Sequence, residues 1–409
     1  MTTITATKPV NQTVPATEIA SVRPFRINFP ESALADLRQR LANTRLPEQE
    51  TVSDFSQGVP LKTVQQVLSH WQTKYDWRKV EAKLNSYPNF ITEIDGLDIH
   101  FIHVRSKHEN ALPLVVTHGW PGSIVEQLKI IEPLTNPTEH GGSASDAFHV
   151  VIPSMPGYGF SGKPTTTGWG PERIASASTT LMRRLGYQHF VAQGGDWGAV
   201  VTEMMGVQAP PELLGIHTNM PGAIPTEVDQ ASFLGAPAPS GLSAEEKSIY
   251  DQLAFFYKHV YYAFEMATRP QSLTALADSP IGLATFLLDH DARSLEMIAR
   301  SFDGEAEGVT PDDFLDNVTL FWLTNTGVSS ARLYWENKLG FFSPKGVKVP
   351  TAVSVFPDEI YGTSRKWAEQ AFPNLIHYNK VEKGGHFAAW EQPKLYTEEL
   401  RAGFRSLRK

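Results

Sequence analysis

Gly194-Gly195-Asp196-Trp197-Gly198 is the segment whose residue types and spacing could do chemistry. It follows the apolar run from His189 and precedes a helix-compatible stretch with Val200, Val201, Met204 and Met205. Small residues two before and two after the central one are what a sharp strand-to-helix turn demands, because side chains there would clash. Such a turn lifts the central side chain above a sheet and aims the next backbone N–H, that of Trp197, at the same point. The central residue, Asp196, is a carboxylate that is ionised at neutral pH and needs no base to activate it. It can displace a leaving group at a saturated carbon and form an ester. The plainer alternative is a loop whose Asp caps the following helix.

Three further segments favour the chemical reading. His118-Gly119-Trp120-Pro121-Gly122 follows the apolar run LPLVVT. A turn of that kind can present a backbone N–H to the elbow and complete an oxyanion hole with the N–H of Trp197; His118 itself reads as a structural hydrogen-bonding residue. Gly384-Gly385-His386-Phe387 follows the last apolar run, and histidine is the usual base at neutral pH. Phe356-Pro357-Asp358-Glu359 ends the run before it, where an acid would orient His386 and stabilise it when charged. Chemistry alone does not choose between Asp358 and Glu359.

These residues need a scaffold, and the pattern of the chain supplies one. Ile94, Asp95-Gly96, then Leu97, Ile99 and Phe101 read as a β-hairpin. The runs from Leu112, Phe148 and His189 are short and continuously apolar, as buried strands are, with a helix expected over Pro171–Leu185. Strand and helix alternating at this spacing imply a parallel sheet covered on both faces. From about Gly222 the strand pattern stops, with a loop marked by Pro225, Pro237 and Pro239. Ser243-Ala-Glu-Glu246 has the form of a capping box and opens an aromatic-rich helical block that continues to about Asn337. Strands resume with TAVSVF from Thr351 and IHYNKV from Ile376. Ahead of the sheet, Leu34, Leu37 and Leu41, then Leu61, Val64, Leu68 and Trp71, then Trp77, Val80 and Leu84 recur at helical spacing. The organisation expected is a flexible tail over 1–24, a helical extension over 25–92, a sheet in two parts over 93–221 and 343–409, and a helical lid over 222–342.

Composition bounds the function classes. The 409 residues carry 36 Lys and Arg against 44 Asp and Glu, a net charge of −8. Binding nucleic acid by phosphate neutralisation calls for a basic chain, so that class is disfavoured. There is no cysteine, which excludes disulfides, thiolate metal sites and a cysteine nucleophile. No run approaches the roughly 18 apolar residues of a membrane span, and the Thr-rich N-terminus has no apolar h-region. A soluble, intracellular, cytoplasmic-type protein is expected.

The order of the parts, nucleophile 196, acid 359, base 386, is that of the α/β-hydrolases. Over nearly its whole length the chain resembles the epoxide hydrolases of the microsomal type, which include the juvenile-hormone epoxide hydrolases. FRINFPESALADLRQRL, DWRKVEAKLNSYPNF, IDGLDIHFIHV, HGWPGS, GGDWGA and GGHFAAWEQP follow in that family's order. The resemblance implies an α/β-hydrolase core, with a mostly parallel sheet of the eight-stranded type, a helical lid and a helical N-terminal extension wrapping over core and lid. It implies Asp196 as nucleophile, His386 as base, and Glu359 rather than Asp358 as the acid. It implies the backbone N–H groups of Trp120 and Trp197 as oxyanion-hole donors. It also implies two lid tyrosines that donate to the epoxide oxygen: Tyr262, before Thr268-Arg269-Pro270, and Tyr334, within Arg332-Leu-Tyr-Trp-Glu-Asn337. The mammalian microsomal enzymes begin with a membrane-anchor helix, and this sequence shows none.

The reaction so implied is hydrolysis of an apolar epoxide to a vicinal diol through an ester on Asp196, with water as co-substrate and no metal or organic cofactor. The lid aromatics, among them Phe255, Phe256, Phe264, Phe286, Phe314 and Phe321, are expected to be core or to line an apolar pocket. A haloalkane dehalogenase would share the aspartate elbow, with Trp197 as halide donor, and a silent ligand-binding receptor would share the fold. The tyrosine pair argues against the first, and the intact Asp, Glu and His set against the second. A homo-oligomer is compatible with the sequence, which specifies none.

Overall fold

A computed structural model of the chain describes residues 21–408. The expected tail over 1–24 lies outside the described residues as far as residue 20. Its end does not read as tail: Arg23–Pro24 forms β1, a two-residue edge strand.

The strands that follow are β2 (Asn89–Ile94), β3 (Leu97–Val104), β4 (Leu112–Thr117), β5 (Phe148–Pro153), β6 (Phe190–Gly194), β7 (Leu213–Thr218), β8 (Thr351–Val355) and β9 (Leu375–Lys380). They make one sheet in the order β1-β2-β3-β5-β4-β6-β7-β8-β9. The pairs β1–β2, β2–β3 and β3–β5 are antiparallel, and every pair from β5–β4 onward is parallel. The hairpin joining β2 and β3 turns at Asp95 and Gly96, both at positive φ, which is the conformation an Asp-Gly turn favours. Every residue of β6 and of β8 is buried, so both faces of the central sheet are covered, and this is why those segments read as unbroken apolar runs. Strand β7 has no counterpart among the sequence expectations. Its LLGIHT carries a Gly and a buried His where a clear strand would be β-branched throughout.

The N-terminal helices are α1 (Glu31–Ala42), α2 (Leu61–Thr73) and α3 (Trp77–Asn85). They bury Leu34, Leu37, Leu41, Val64, Trp71, Trp77, Val80 and Leu84, the stripes read from the sequence. Between the strands lie α4 (Leu128–Thr135), α5 (Pro171–Arg184) and α6 (Trp197–Gln208). The lid between β7 and β8 comprises α7 (Thr226–Leu234), α8 (Ala244–His259), α9 (Tyr261–Thr268), α10 (Pro280–Leu288), α11 (Ala292–Phe302), α12 (Pro311–Thr324) and α13 (Gly327–Glu336). The capping box is formed: Ser243 Oγ accepts from Glu246 N–H at 3.2 Å, and Glu246 Oε2 accepts from Ser243 N–H at 2.8 Å. Helix α7 corrects the loop expected after Gly222. Pro225 stands just before its first turn, and Gly235 ends it in the left-handed conformation, so the breakers bound a helix rather than mark a loop. Two of the lid aromatics are not core: Phe255 and Phe264 lie exposed at its surface. The chain closes with α14 (Arg365–Ala371), α15 (Ala388–Glu391) and α16 (Pro393–Gly403).

The extension is clasped to the lid. Arg40 pairs with Asp278 at 2.9 Å, Lys62 with Asp303 at 2.8 Å, and the Tyr75 hydroxyl donates to Asp316 at 2.9 Å. At the other end, Asn85 exchanges hydrogen bonds with both backbone groups of Ile27. Among the described residues no helix is long and apolar enough to cross a membrane.

At the turn between β6 and α6, a Cβ on Gly194 would lie 2.0 Å from the Gly198 carbonyl oxygen, and one on Gly198 would lie 2.0 Å from that of Thr117. Backbone meets backbone there, and neither side can swing away. Gly198→Ala should therefore cost about 1–3 kcal/mol or more of stability in urea unfolding, the range for overpacked interiors. Gly362→Ala, whose Cβ would meet nothing closer than 3.6 Å, should cost much less; equal costs would refute the steric account.

Candidate active site

Asp196 stands between β6 and α6 with φ 51 and ψ −128, a strained backbone for a residue with a side chain. The strain points its carboxylate out of the turn. Oδ1 accepts from the backbone N–H of Trp120 at 2.7 Å, and the N–H of Trp197 also stabilises the charged form. Gly119 makes this approach possible: a Cβ there would sit 2.3 Å from Asp196 Oδ1. The loop that carries Trp120 is pinned from the lid, where Asn317 on α12 donates to the Pro121 carbonyl at 2.7 Å. His118 is structural. Its Nε2 accepts from Met155 N–H at 3.2 Å, its Nδ1 faces the Gly119 carbonyl at 3.0 Å, and burial lowers its pKa to about 4.

His386 enters from the loop after β9. Its Nδ1 lies 2.7 Å from Glu359 Oε1, and its Nε2 lies 3.9 Å from Asp196 Oδ2. Glu359 and His386 are both buried. The backbone of Asp358 bridges to that of Gly385, and the Asp358 side chain turns outward to Arg293 at 2.8 Å, 59% exposed. The chain turns at this point, with the Glu359 N–H directed back to the Phe356 carbonyl, and one of the two acids meets His386 while the other meets solvent. Glu391, which the sequence reading did not single out, clamps the histidine loop by accepting from Gly385 N–H and Phe387 N–H, each at 2.9 Å.

Tyr262 on α9 and Tyr334 on α13 are brought over the same carboxylate. The Trp120 ring stacks on Tyr262 at 4.8 Å, Trp197 meets Tyr334 edge-on at 4.7 Å, and the two phenol rings lie 6.2 Å apart. Phe286 adds an apolar wall 5.8 Å from Trp120. Burial, and then the charge of Asp196 among others, raises both phenol pKa values well above 10, so both hydroxyls keep their protons at neutral pH.

The carboxylate is costly to keep charged here. Burial raises the Asp196 pKa, and the imidazoles of His386 and His290 with the N–H groups of Trp197 and Trp120 restrain that rise. Burial alone would lower the His386 pKa; the charge and hydrogen bond of Glu359, then the charges of Asp196 and Asp291, outweigh it and raise it from 6.5 to about 10. His290, between α10 and α11, is a second buried imidazole that the sequence reading missed. One carboxylate oxygen of Asp196 and one ring nitrogen each of His290 and His386 lie within 4.8 Å of one another, spaced to ligate a small cation or to hydrogen-bond one water. On the other side of Asp196, a cavity just large enough for a water is lined by Glu126, Gln127, Asn219, Tyr396 and His386. Burial raises the Glu126 pKa to about 8.

Residues 22–127 match the family model described as epoxide hydrolase N terminus, and residues 113–245 match that of the alpha/beta hydrolase fold. A Stigmatella aurantiaca protein, provisionally named an epoxide hydrolase, is 50% identical over 95% of this chain and 86% of its own length. Epoxide hydrolase 1 of Oryctolagus cuniculus is 37% identical over 94% of this chain and 88% of its own. The crystal structure of juvenile hormone epoxide hydrolase from Bombyx mori superposes with a TM-score of 0.83 at 29% identity, covering 95% of this chain and 96% of that one.

The raised pKa of His386 has a consequence for stability. Its folded value lies above the unfolded one, so the stabilisation it contributes is complete below about pH 6.5 and is lost as the pH rises through about 10. Glu359→Gln removes the chief partner of that charge. The melting-temperature gap between wild type and this variant should be widest near pH 6 and shrink toward pH 10. Asp358→Asn breaks only an exposed ion pair and should show a small gap with no such trend. A trend in Asp358→Asn and none in Glu359→Gln would reverse the pairing.

Proposed function

This chain belongs to the epoxide hydrolase family of the microsomal and juvenile-hormone type, on an α/β-hydrolase fold, and from that membership we propose that it opens an apolar epoxide to a vicinal diol through a covalent ester on Asp196. The observation that carries the mechanism is that two buried, protonated phenols share one pocket with a carboxylate whose other oxygen is already held by backbone N–H groups.

Asp196 Oδ2 attacks an oxirane carbon while Oδ1 stays on the N–H of Trp120. The carbon–oxygen bond of the ring breaks, and the departing oxygen takes a proton from Tyr262 or Tyr334. An alkoxide released into this buried pocket without a donor would be very costly. Ester formation also discharges Asp196, one of the charges that keep the proton on His386. That proton restores the tyrosine, and His386 becomes a base only once there is an ester to hydrolyse. Neutral His386, held by Glu359, then takes a proton from water as the water oxygen attacks the ester carbonyl. The oxyanion forms on Oδ1, already in the hole, where each donor is worth about 2.7–4 kcal/mol by the serine-protease precedent. Collapse releases the diol and returns Asp196 charged and His386 protonated. A halide leaves as an anion and needs no proton, so dehalogenation would leave the phenol pair without a task. The aromatic lining supports an apolar alkyl or aryl epoxide as substrate.

His386→Gln tests the two steps together. It should react once with an epoxide such as styrene oxide and stop, gaining the whole epoxide mass in intact-protein mass spectrometry, with the adduct mapped to Asp196. A folded variant that gains nothing from an epoxide the wild type hydrolyses would overturn the covalent mechanism, and a haloalkane that leaves its alkyl group while the epoxide leaves nothing would favour the dehalogenase.

The phenols are tested separately. Tyr262→Phe and Tyr334→Phe should each slow adduct formation, measured in the His386→Gln background, by about 10²-fold or less, since one remaining phenol still donates. The double variant should form almost none. Normal adduct formation by the double variant would reduce the tyrosines to packing.

A further inference from the structure

His290 repeats the arrangement of His386 beside it, over the same carboxylate of Asp196. Its Nδ1 lies 3.0 Å from Asp291 Oδ2, and Asp291 is fixed in turn because its Oδ1 accepts from Arg293 N–H at 3.0 Å and Ser294 N–H at 2.9 Å at the start of α11. The His290 ring lies 4.3 Å from that of His386, 5.4 Å from Tyr262 and 5.9 Å from Trp120. The side chain is 1% exposed, and its Nε2 is buried with no hydrogen-bond partner among the described residues. A buried polar atom left so is unusual and calls for a partner.

We propose that His290, oriented by Asp291, is a further catalytic residue that holds the hydrolytic water together with His386. The geometry is specific. One ring nitrogen each of His290 and His386 lie no more than 4.8 Å apart and equally close to one carboxylate oxygen of Asp196, so a single water can reach both nitrogens at an ordinary hydrogen-bond length of about 2.8 Å while standing beside that carboxyl group. Each neutral imidazole donates Nδ1–H to its carboxylate and offers Nε2 as an acceptor. A water has two hydrogens, one for each Nε2, and its oxygen lone pair is then turned toward the Asp196 carbonyl carbon. When that oxygen attacks, His386 takes one proton and His290 keeps hold of the other O–H. His290 thus supplies orientation, and no second proton is moved. Asp291 acts through His290, as a positioning residue.

The inference rests on the two-step mechanism, so the test separates them. His290→Phe keeps a ring against His386 and Trp120 and removes Nε2. With styrene oxide in single-turnover mass spectrometry, ester hydrolysis should slow by about 10- to 100-fold and by clearly more than adduct formation, so that adduct accumulates during turnover. His290→Gln, which keeps a polar end, should recover part of the hydrolysis rate. Asp291→Asn keeps the oxygen that caps α11 but presents an N–H to Nδ1, and should slow hydrolysis in the same direction even if His290→Phe does not fold. If His386→Gln traps no adduct, the two-step mechanism fails. If His386→Gln traps it and His290→Phe hydrolyses the ester at the wild-type rate, this inference fails, and the water belongs to the cavity beside Glu126 and Gln127. Equal slowing of both steps with a lowered melting temperature would make His290 a packing residue. Loss of wild-type activity on EDTA dialysis, restored by zinc, would put a metal where the water is proposed.

Discussion

A carboxylate buried away from water, which the proposed mechanism requires to be charged, is the constraint on which the rest of this molecule depends. Desolvation pushes Asp196 toward its neutral form, and a neutral acid is no nucleophile. The fold answers with fixed partial and full charges. Trp120 and Trp197 supply backbone N–H groups, and His386 and His290 supply imidazoles. Each comes from a different part of the chain, and each has its own support: Gly119 and Asn317 for the first loop, Gly194 and Gly198 for the elbow, Glu359 and Glu391 for His386, and Asp291 for His290. Such a site cannot be assembled locally, which is a physical reason for a sheet that gathers several loops at one end.

The lid solves a second problem with the same parts. As the proposed proton donors, the tyrosines must be dry enough to stay protonated beside a negative charge, yet close enough to reach a substrate on it. Stacking on Trp120 and edge contact with Trp197 achieve both, because the two tryptophans whose N–H groups hold Asp196 also form the floor against which the phenols pack. A displacement of α9 or α13 would therefore disturb the hole and the donors together. The N-terminal extension restrains such displacement from outside, through exposed ion pairs to the lid whose individual worth is small, together with the buried faces of α1 to α3.

Much of this was legible in the sequence, and the exceptions have physical causes. The elbow announces itself because only small residues survive at 194 and 198. The strands β4, β5, β6 and β8 are apolar runs because both faces are covered. Strand β7 hides because its Gly and His break that pattern, and α7 hides because prolines bound it. Chemistry left Asp358 and Glu359 equal, since the choice is made by how the chain turns after β8; resemblance chose Glu359, and Glu359 is the acid that meets the His386 ring. Tyr262 and Tyr334 carry no local signal and came from resemblance alone. His290 and Glu126 were missed because the groups they face are far away in sequence, Glu391 because its partners are backbone N–H groups that leave no mark on residue type, and a lone His in a polar stretch such as Asp289-His290-Asp291 reads as loop.

The pairing of charges also explains how two opposed steps can share one pocket. Under the proposed mechanism, alkylation wants Asp196 charged and tolerates a protonated His386, and hydrolysis wants the reverse. If the two groups titrated independently, a pH that suited one step would handicap the other. Close packing couples them instead. While Asp196 is charged, its field helps keep His386 protonated, and under the proposed mechanism the ester removes that field at the moment a base is needed. Glu359, whose charge and hydrogen bond are the chief causes that raise the His386 pKa, remains against the ring. The carboxylate of Asp291, set against the His290 ring 4.3 Å from that of His386, adds a further negative charge that helps hold the proton on His386. In the proposed mechanism the base is thus switched by the chemistry of its neighbour rather than by the solution, and such a switch works only where water is kept from screening the two charges.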